Sequence, residues 1–278
     1  MINEFNTTEK EILEALNRSG YMLESEITKQ LADLGFFVES NQTTLDPLTG
    51  KSREIDLLAE FYEYDREKTD NKIVASTRFV FEIKNNTFPF VLLTKMEFSP
   101  NIEIWDALKI VSTIPEGVDF SVYSGFYELL IGKNNKELFT QYCSFSKKKA
   151  NEELMALHPE NIYAGLSKIT HFCEEVLENR VRERTDRHIE EYLRNFLYLP
   201  VLLIKEDLYE LEISQSGTRL KKVECSRLIF NYHYRQEPKS SIVYIVTKEG
   251  LSDFIKEFLR VEKMVEENML KAKNVSKR

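Results

Sequence analysis

The alternation of hydrophobic and polar positions predicts two helices followed by three strands in the first 84 residues. A short helix is expected over about residues 7–17, capped by Asn6, Thr7 or Thr8. In the next helix, which Gly35 is expected to end, apolar side chains recur at helical spacing at Leu23, Ile27, Leu31 and Leu34. Period-two alternation then predicts strands in FFVESNQTTL, REIDLLAEFYEY and KIVASTRFVFEIK.

The remaining pattern alternates between helical and extended segments. FPFVLLT and SGFYELLIG are typical of strands and NIEIWDALKIV of a helix, and residues 86–159 are interpreted as an insertion or subdomain. A long helical pattern covers about residues 160–197, and Pro200 is expected to close it. Four short strands follow, at VLLIK, LYELEIS, SRLIFNYHY and SIVYIVT, before a closing amphipathic helix and a frayed basic tail, KAKNVSKR. This order predicts an α/β fold with a central mixed β-sheet flanked by helices, built from residues 1–85 and 160–278.

The composition is that of a soluble globular protein. Of the 278 residues 42% are hydrophobic and 30% charged, and no apolar run approaches the roughly 18 residues of a membrane span. The first residues have no signal-peptide pattern, so a cytoplasmic protein without a membrane partner is predicted. The three cysteines and four histidines are too scattered to predict a disulfide framework, a zinc site or a hydrolase triad.

The negative charge is concentrated at the start of the chain. The net charge is −8, and residues 1–84 hold 10 Lys and Arg against 17 Asp and Glu, which leaves −7 in that segment. This balance argues against a protein that coats nucleic acid non-specifically, because such binding relies on basic residues that release counterions. The acidic segment is either solvated surface or a place for divalent cations.

Candidate chemistry lies in the second and third predicted strands. In RFVFEIKNN, Glu82 and Lys84 share one strand face about 7 Å apart. In REIDLLAE, Glu54, Asp56 and Leu58 are predicted to share one face, with Ile55 and Leu57 on the other. If the two strands are neighbours, Asp56 lies beside Glu82, and two carboxylates next to an ammonium could hold Mg²⁺ and leave Lys84 near a bound water. A salt-bridged, solvated strand face is the structural alternative.

The second predicted helix adds a further carboxylate. Around a helical wheel, Glu24 lies about 65° from the centre of the apolar face, and Glu26 lies about 95° from it. Glu24 therefore borders the buried face and could approach a site over the sheet, whereas Glu26 is predicted to be solvated.

Together these residues resemble the PD-(D/E)xK nucleases, the restriction-endonuclease-like superfamily: Glu24 on a helix, Asp56 on a strand, and Glu82-Ile83-Lys84 on the next strand. The family core of a helix, three strands, a helix and a further strand would correspond to residues 20–84 and about 160–205. The resemblance implies that Asp56, Glu82, the Ile83 carbonyl and Glu24 bind Mg²⁺ or Mn²⁺. It also implies that Lys84 orients or activates the attacking water.

The sequence departs from the family pattern in two places. The residue before Asp56 is Ile55 and not Pro, which leaves the chemistry intact. About 75 residues separate the E-x-K strand from the next helix. Within them, the lysines of QYCSFSKKK, Lys147, Lys148 and Lys149, could contact a phosphate backbone, with an exposed turn as the alternative.

The resemblance implies a metal-dependent endonuclease that hydrolyses phosphodiester bonds, with DNA as the first substrate, in a setting such as defence or repair. RNA stays open as a substrate. Because the chain is acidic, targeting is expected to depend on a protein partner, on a homo-oligomer or on residues 86–160. The alternative is a catalytically inactive relative that binds nucleic acid or a protein partner. TGKS, residues 49–52, does not form a phosphate-binding loop, because the Gly required five positions before Gly50 is Leu45.

Overall fold

The computed structural model describes residues 7–45, 50–61, 73–97, 107–113, 137–148, 152–185, 193–215 and 217–275. The helices are α1 (Glu9–Ser19), α2 (Tyr21–Asp33), α3 (Glu160–Thr185) and α4 (Leu251–Val275). The strands are β1 (Phe36–Leu45), β2 (Ser52–Phe61), β3 (Ile73–Lys84), β4 (Phe90–Glu97), β5 (Lys109–Thr113), β6 (Glu137–Lys147), β7 (Leu154–Leu157), β8 (Leu193–Ile204), β9 (Leu208–Ser214), β10 (Gly217–Val223), β11 (Cys225–Tyr234) and β12 (Glu237–Thr247).

All of these strands belong to one mixed sheet. Its order is β1-β2-β3-β8-β12-β11-β6-β4-β9-β10, with β5 paired to β8 and β7 paired to β6. Strands β1, β2 and β3 form an antiparallel meander, whereas β8 runs parallel to both β3 and β12. Strands β4 and β6, from the predicted insertion at residues 86–159, lie between β11 and β9 in this same sheet.

Helices cover both faces of the sheet, as predicted. The core under α2 and α4 takes the odd-numbered side chains at the end of β3, together with helix residues such as Leu23, Ile27, Leu31, Phe254 and Phe258. The core under α3 takes residues of the opposite parity, such as Val80 and Leu202, together with Ile162, Leu166, Ile169 and Phe172. Side chains of opposite parity on β3 therefore meet different helices.

A left-handed glycine joins the first two helices and places them at the end of β3. Thr8 caps α1 through a capping box with Glu11. Gly20, with φ of 95°, ends α1 and directly precedes α2, a conformation that a side chain would strain. The side-chain amide of Asn85, just after β3, donates to the carbonyl of Asn17 at 2.7 Å. This contact fixes the helix pair beside the E-x-K strand.

Two predicted helical segments are strands. Residues 193–197 form the first half of β8, which pairs with β3 along its whole length, and Pro200 lies inside this strand opposite Val80. LRNFL, residues 193–197, mixes polar and apolar side chains without a period of two, so its local pattern does not identify a strand. Part of NIEIWDALKIV forms β5, which pairs antiparallel with β8. Non-local pairing therefore outweighs local helical preference in both segments.

Other boundaries also differ from the prediction. QYCSFSKKK is mostly strand, because β6 extends to Lys147, so the exposed-turn alternative is wrong for that part. The tail is helical as far as Val275, and strand β10 was not predicted. The predicted strand SGFYELLIG, together with Lys149, His188 and residues 46–49 of the β1–β2 turn, lies outside the described residues. No helix in the described part of the chain is both long and apolar enough to cross a membrane.

Candidate functional site

Glu82 and Lys84 project from β3 toward α3. They share the face of Val80, which packs in the core under α3, whereas Phe81 and Ile83 pack under α2 and α4. Glu82 is only 3% exposed, and its Oε1 forms an ion pair with the Lys84 ammonium. The two residues therefore lie on one face as predicted, with Glu82 buried and Lys84 partly exposed.

Asp56 reaches the same point from β2. The register Leu57↔Phe81 places Asp56 and Glu82 next to each other across the two strands. Asp56 Oδ2 accepts a hydrogen bond from the Ile83 backbone N–H at 2.7 Å. Because the N–H and C=O of one strand residue point toward the same neighbouring strand, the Ile83 carbonyl also faces β2. The structure thus brings together Asp56, Glu82, Ile83 and Lys84.

The face alternation of β2 breaks at Asp56. Ile55 packs in the core under α3 and Leu57 in the core under α2 and α4, so the prediction that they share a face is wrong. The break lies where β1 carries Asn41 in a left-handed conformation with φ of 57°, and the β1–β2 register omits the pair between Asn41 and Asp56. Asparagine tolerates this conformation better than most residues. The local irregularity frees Asp56 from the regular pleat.

Lys168 of α3, which sequence reasoning missed, joins the two carboxylates. Its Nζ lies 2.8 Å from Asp56 Oδ1 and forms an ion pair with Glu82 Oε2. Its side chain is 16% exposed. Burial would lower the pKa of Lys168, but the charges of Glu82 and Asp56 outweigh it and raise that pKa above its usual value. Lys168 is therefore a cation held between two anions.

A glycine lets α3 approach Glu82 closely. A Cβ atom on Gly165 would lie 2.7 Å from Glu82 Oε1 and 2.8 Å from both Cγ and Cδ, closer than real Cβ contacts. Gly165 precedes Lys168 by three residues, so both lie on the same side of the helix. The missing side chain at Gly165 therefore makes room for the Glu82 carboxylate under the helix that supplies Lys168.

Glu24 approaches from the opposite face of the sheet. It lies on α2 and shares a hollow of about 470 Å³ with Asp56. Burial raises the pKa of Glu24, the Asp56 charge adds to the effect, and Lys168 partly opposes it. Glu26 is partly exposed and forms an ion pair with Lys248 at 2.5 Å, which confirms its predicted solvated position.

A larger cavity opens on the α3 side. Its volume is about 780 Å³, and Glu82, Lys84 and Lys168 line it. Tyr163 of α3 is 47% exposed and also lines the cavity. The rest of the lining is polar or aromatic in large part and includes Arg53, Asn161, Ser167, His171, Tyr232 and His233. The cavity therefore gives an open approach to the Glu82 carboxylate.

Two histidines that are far apart in sequence meet at the cavity wall. His171 Nε2 lies 2.9 Å from the backbone carbonyl of His233. A carbonyl only accepts hydrogen bonds, so Nε2 carries the proton in this contact. His171 is thus used to join α3 to β11.

A second buried ion pair lies further along α3. Lys109 of β5 is 3% exposed, and its ammonium lies 2.5 Å from Glu174 Oε1 and donates to the Ser240 carbonyl at 2.9 Å. The Tyr232 hydroxyl donates to the same Glu174 oxygen at 2.6 Å. These bonds join α3, β5, β11 and β12, which supports a structural role for the cluster.

The residue after Asn85 fixes the end of β3 against β8. The Asn86 side-chain oxygen accepts from the Lys205 backbone N–H at 2.8 Å, and its amide donates to the Phe88 carbonyl at 2.7 Å. The Lys205 N–H also lies 3.1 Å from the Lys84 carbonyl. The backbone at Lys84 is therefore held against the residue that follows β8.

The site fits a divalent cation through two carboxylates. Among the described residues there is no group of three or more His, Cys, Asp and Glu side chains arranged to hold a metal ion. Mg²⁺, however, is often bound by one or two carboxylates, with waters and substrate phosphates completing the shell. Asp56 Oδ1 and Glu82 Oε2 already converge on one cationic atom, Lys168 Nζ, so their spacing and charge suit a small cation.

Comparisons with known proteins found no match, so the proposed function rests on the geometry of the site. No protein-family model matches the chain, and no curated protein or solved structure matches it at the significance required.

Proposed function

We propose that this chain is a Mg²⁺- or Mn²⁺-dependent nuclease that hydrolyses phosphodiester bonds, with DNA as its first substrate and RNA as the alternative. The observation that carries the proposal is the convergence of Asp56 and Glu82 on a single cation position, with Lys84 paired to Glu82. Buried carboxylates that share a cation beside an open cavity are a frequent mark of a functional site.

The chain order around the site supports a restriction-endonuclease-like core. Helix α2 is followed by the meander β1-β2-β3, then, after β4 to β7, by α3 and by β8, which lies parallel to β3. This is the element order that the resemblance implies. Asp56 lies on β2 and Glu82 on β3, the two central strands of the order β1-β2-β3-β8.

The residues have distinct parts in the proposed reaction. A bound Mg²⁺ would supply a Lewis acid that offsets charge on the phosphate and lowers the pKa of a bound water. Asp56 and Glu82 would hold it, with the Ile83 carbonyl facing the same side. Lys84 lines the cavity, so its ammonium can offset charge on a substrate phosphate or orient the attacking water by donating a hydrogen bond to its oxygen. Glu24 would act from the α2 side, through its hollow with Asp56.

The cavity suits a nucleotide chain. Tyr163 exposes part of its ring beside the Glu82–Lys84 pair, and Arg53 contributes a cationic group to the lining. Aromatic rings stack on bases of any sequence, and cationic groups attract phosphates. Because the net charge of the chain is −8, we expect nucleic acid to be held by contacts within the cavity and not by non-specific attraction along its backbone.

Cleavage assays test this proposal. Plasmid, linear duplex, single-stranded DNA and RNA would each be incubated with the full chain and Mg²⁺ or Mn²⁺. We expect metal-dependent cutting that Asp56→Asn and Lys84→Met abolish and that Glu26→Gln, a change at a surface carboxylate, leaves intact. Absence of cutting of every substrate by folded wild-type protein would contradict the proposal.

A second candidate is an inactive relative that binds nucleic acid or a protein. It is favoured by Lys168, whose ammonium already forms ion pairs with both carboxylates. Isothermal titration with Mg²⁺ and Mn²⁺ separates the two candidates. An enzyme should bind metal in a manner that Asp56→Asn abolishes, whereas an inactive relative should not bind it.

A further inference from the structure

The Lys168 ammonium stands between Asp56 and Glu82, at the position that suits a metal ion. We propose that Lys168 is a resident counter-ion that competes with the divalent cation for this position and thereby sets the metal affinity of the site. The inference rests on the proposed metal-dependent function, and it assigns to Lys168 the control of metal affinity, a role that the E-x-K motif does not contain.

The four carboxylate oxygens of the pair are all engaged. Oδ1 of Asp56 and Oε2 of Glu82 contact Lys168, Oδ2 of Asp56 accepts from the Ile83 N–H, and Oε1 of Glu82 pairs with Lys84. The two oxygens held by Lys168 come from different strands, so they are the pair that a bridging cation would take. Because two positive charges a few ångströms apart repel strongly in a partly buried site, an entering cation must displace the ammonium.

Lys168 has space into which it can withdraw. Its side chain is partly exposed and lines the 780 Å³ cavity, into which a flexible lysine stem can rotate. In the cavity the ammonium would remain close to Lys84 and to any substrate phosphate. Displacement therefore moves a positive charge from the carboxylates toward the substrate.

The same arrangement explains why the metal-free protein tolerates buried carboxylates. Glu82 is almost fully buried next to Asp56, and two such anions without a counter-ion would repel each other and lose hydration. Gly165 keeps α3 close enough for Lys168 to pair with both carboxylates, and Lys84 adds a second positive charge at Glu82. The same pairing would weaken metal binding, because a divalent cation must first displace the Lys168 ammonium from the carboxylates.

Isothermal titration of the full chain with Mn²⁺ and Mg²⁺ tests the competition. Lys168→Met removes the charge and keeps much of the stem, and we expect it to lower the metal Kd at least about tenfold. Lys168→Arg retains the charge and should bind metal about as weakly as wild type. Lys29→Met removes a surface lysine paired with Asp33 and serves as the control, with no change expected.

Each outcome separates this inference from the proposed function. If wild type binds metal and Lys168→Met binds no more tightly, the competition is overturned while the metal site stands. If only Lys168→Met binds, the competition is supported and the wild-type nuclease is overturned. If neither protein binds, both are overturned.

A measurement on the wild-type chain covers the case in which Lys168→Met does not fold, as judged by circular dichroism. Acetylation of individual lysines would be followed by mass spectrometry with and without Mn²⁺. Displacement should raise the acetylation rate of Lys168 by at least about threefold relative to Lys29, because the ammonium leaves its ion pairs for the cavity. An unchanged ratio would overturn the inference.

Discussion

The contact between Gly165 and Glu82 makes a sharp test of the packing at the site. Replacing Gly165 with alanine adds a Cβ that would lie 2.7 Å from Glu82 Oε1 and 2.8 Å from the next two carbons. Glu82 is buried and held by both Lys84 and Lys168, so it cannot move away without loss of ion pairs. The substitution therefore sets a favourable helix effect against a steric cost.

The two effects can be given magnitudes. Alanine stabilises a helix interior by about 1 kcal/mol relative to glycine. Overpacking a buried contact costs about 1–3 kcal/mol. In wild type the net effect of Gly165→Ala on the free energy of unfolding should lie between about 0 and −2 kcal/mol. In a Glu82→Ala background the obstruction is absent, and the same substitution should stabilise by about 1 kcal/mol.

Urea unfolding of wild type, Gly165→Ala, Glu82→Ala and the double mutant gives the coupling energy between the two positions, and about 1–3 kcal/mol is expected. Ala164→Gly, at the exposed neighbouring position of α3, calibrates the helix effect alone. If Gly165→Ala stabilised wild type by about 1 kcal/mol and showed no coupling to Glu82, the close approach of α3 to the carboxylate would be refuted.

Three further predictions concern groups around the site and the core. Burial raises the pKa of Glu262 to about 8 from an ordinary 4.5, so the stability that this carboxyl contributes is present below pH 4.5 and is lost as the pH rises to 8. The unfolding free energy of Glu262→Gln relative to wild type should therefore increase from pH 5 to pH 8, with about 4 kcal/mol as the upper bound, and a difference that stays flat over this range would contradict the raised pKa. Lys109→Met leaves Glu174 buried without its cation and should cost about 3–5 kcal/mol in urea unfolding, and a loss below 1 kcal/mol would contradict the buried ion pair. Tyr163→Ala should weaken binding of a single-stranded oligonucleotide by about 1–3 kcal/mol in fluorescence anisotropy, and unchanged affinity would argue against base stacking in the cavity.

The meander that carries the E-x-K residues could be predicted because its local signals agree. Strict alternation in β3 fixes which side chains share a face, and a one-residue shift would bury Glu82 and Lys84 under the wrong helix. Breaker-rich connections on both sides fix the strand ends. Even there, the face change at Asp56 was missed, because it depends on the backbone conformation of Asn41 in the neighbouring strand.

Strand β8 could not be predicted in full because its structure comes from its neighbours. Its first half pairs with β3 on one side and β5 on the other, and its second half pairs with β3 and β12. Each partner lies far away in the sequence, and the local window LRNFLYLP has no alternation that would identify a strand by itself. The same non-local pairing places Pro200 inside a strand, where a local rule would end an element.

Lys168 was missed for a related reason, since 112 residues separate it from Asp56. Its local sequence does carry a signal, because Gly165 and Lys168 interrupt the side of α3 on which Leu166 and Ile169 are buried. A glycine in a helix interior costs about 1 kcal/mol relative to alanine, and a buried lysine needs an anion. Where both occur one turn apart on a helix that must cover an acidic strand, close approach and a counter-ion explain them together. The carboxylates of the two strands thus explain why α3 carries Gly165 and Lys168, which would otherwise be unfavourable there. The glycine makes room for Glu82, and the lysine pairs with Glu82 and Asp56.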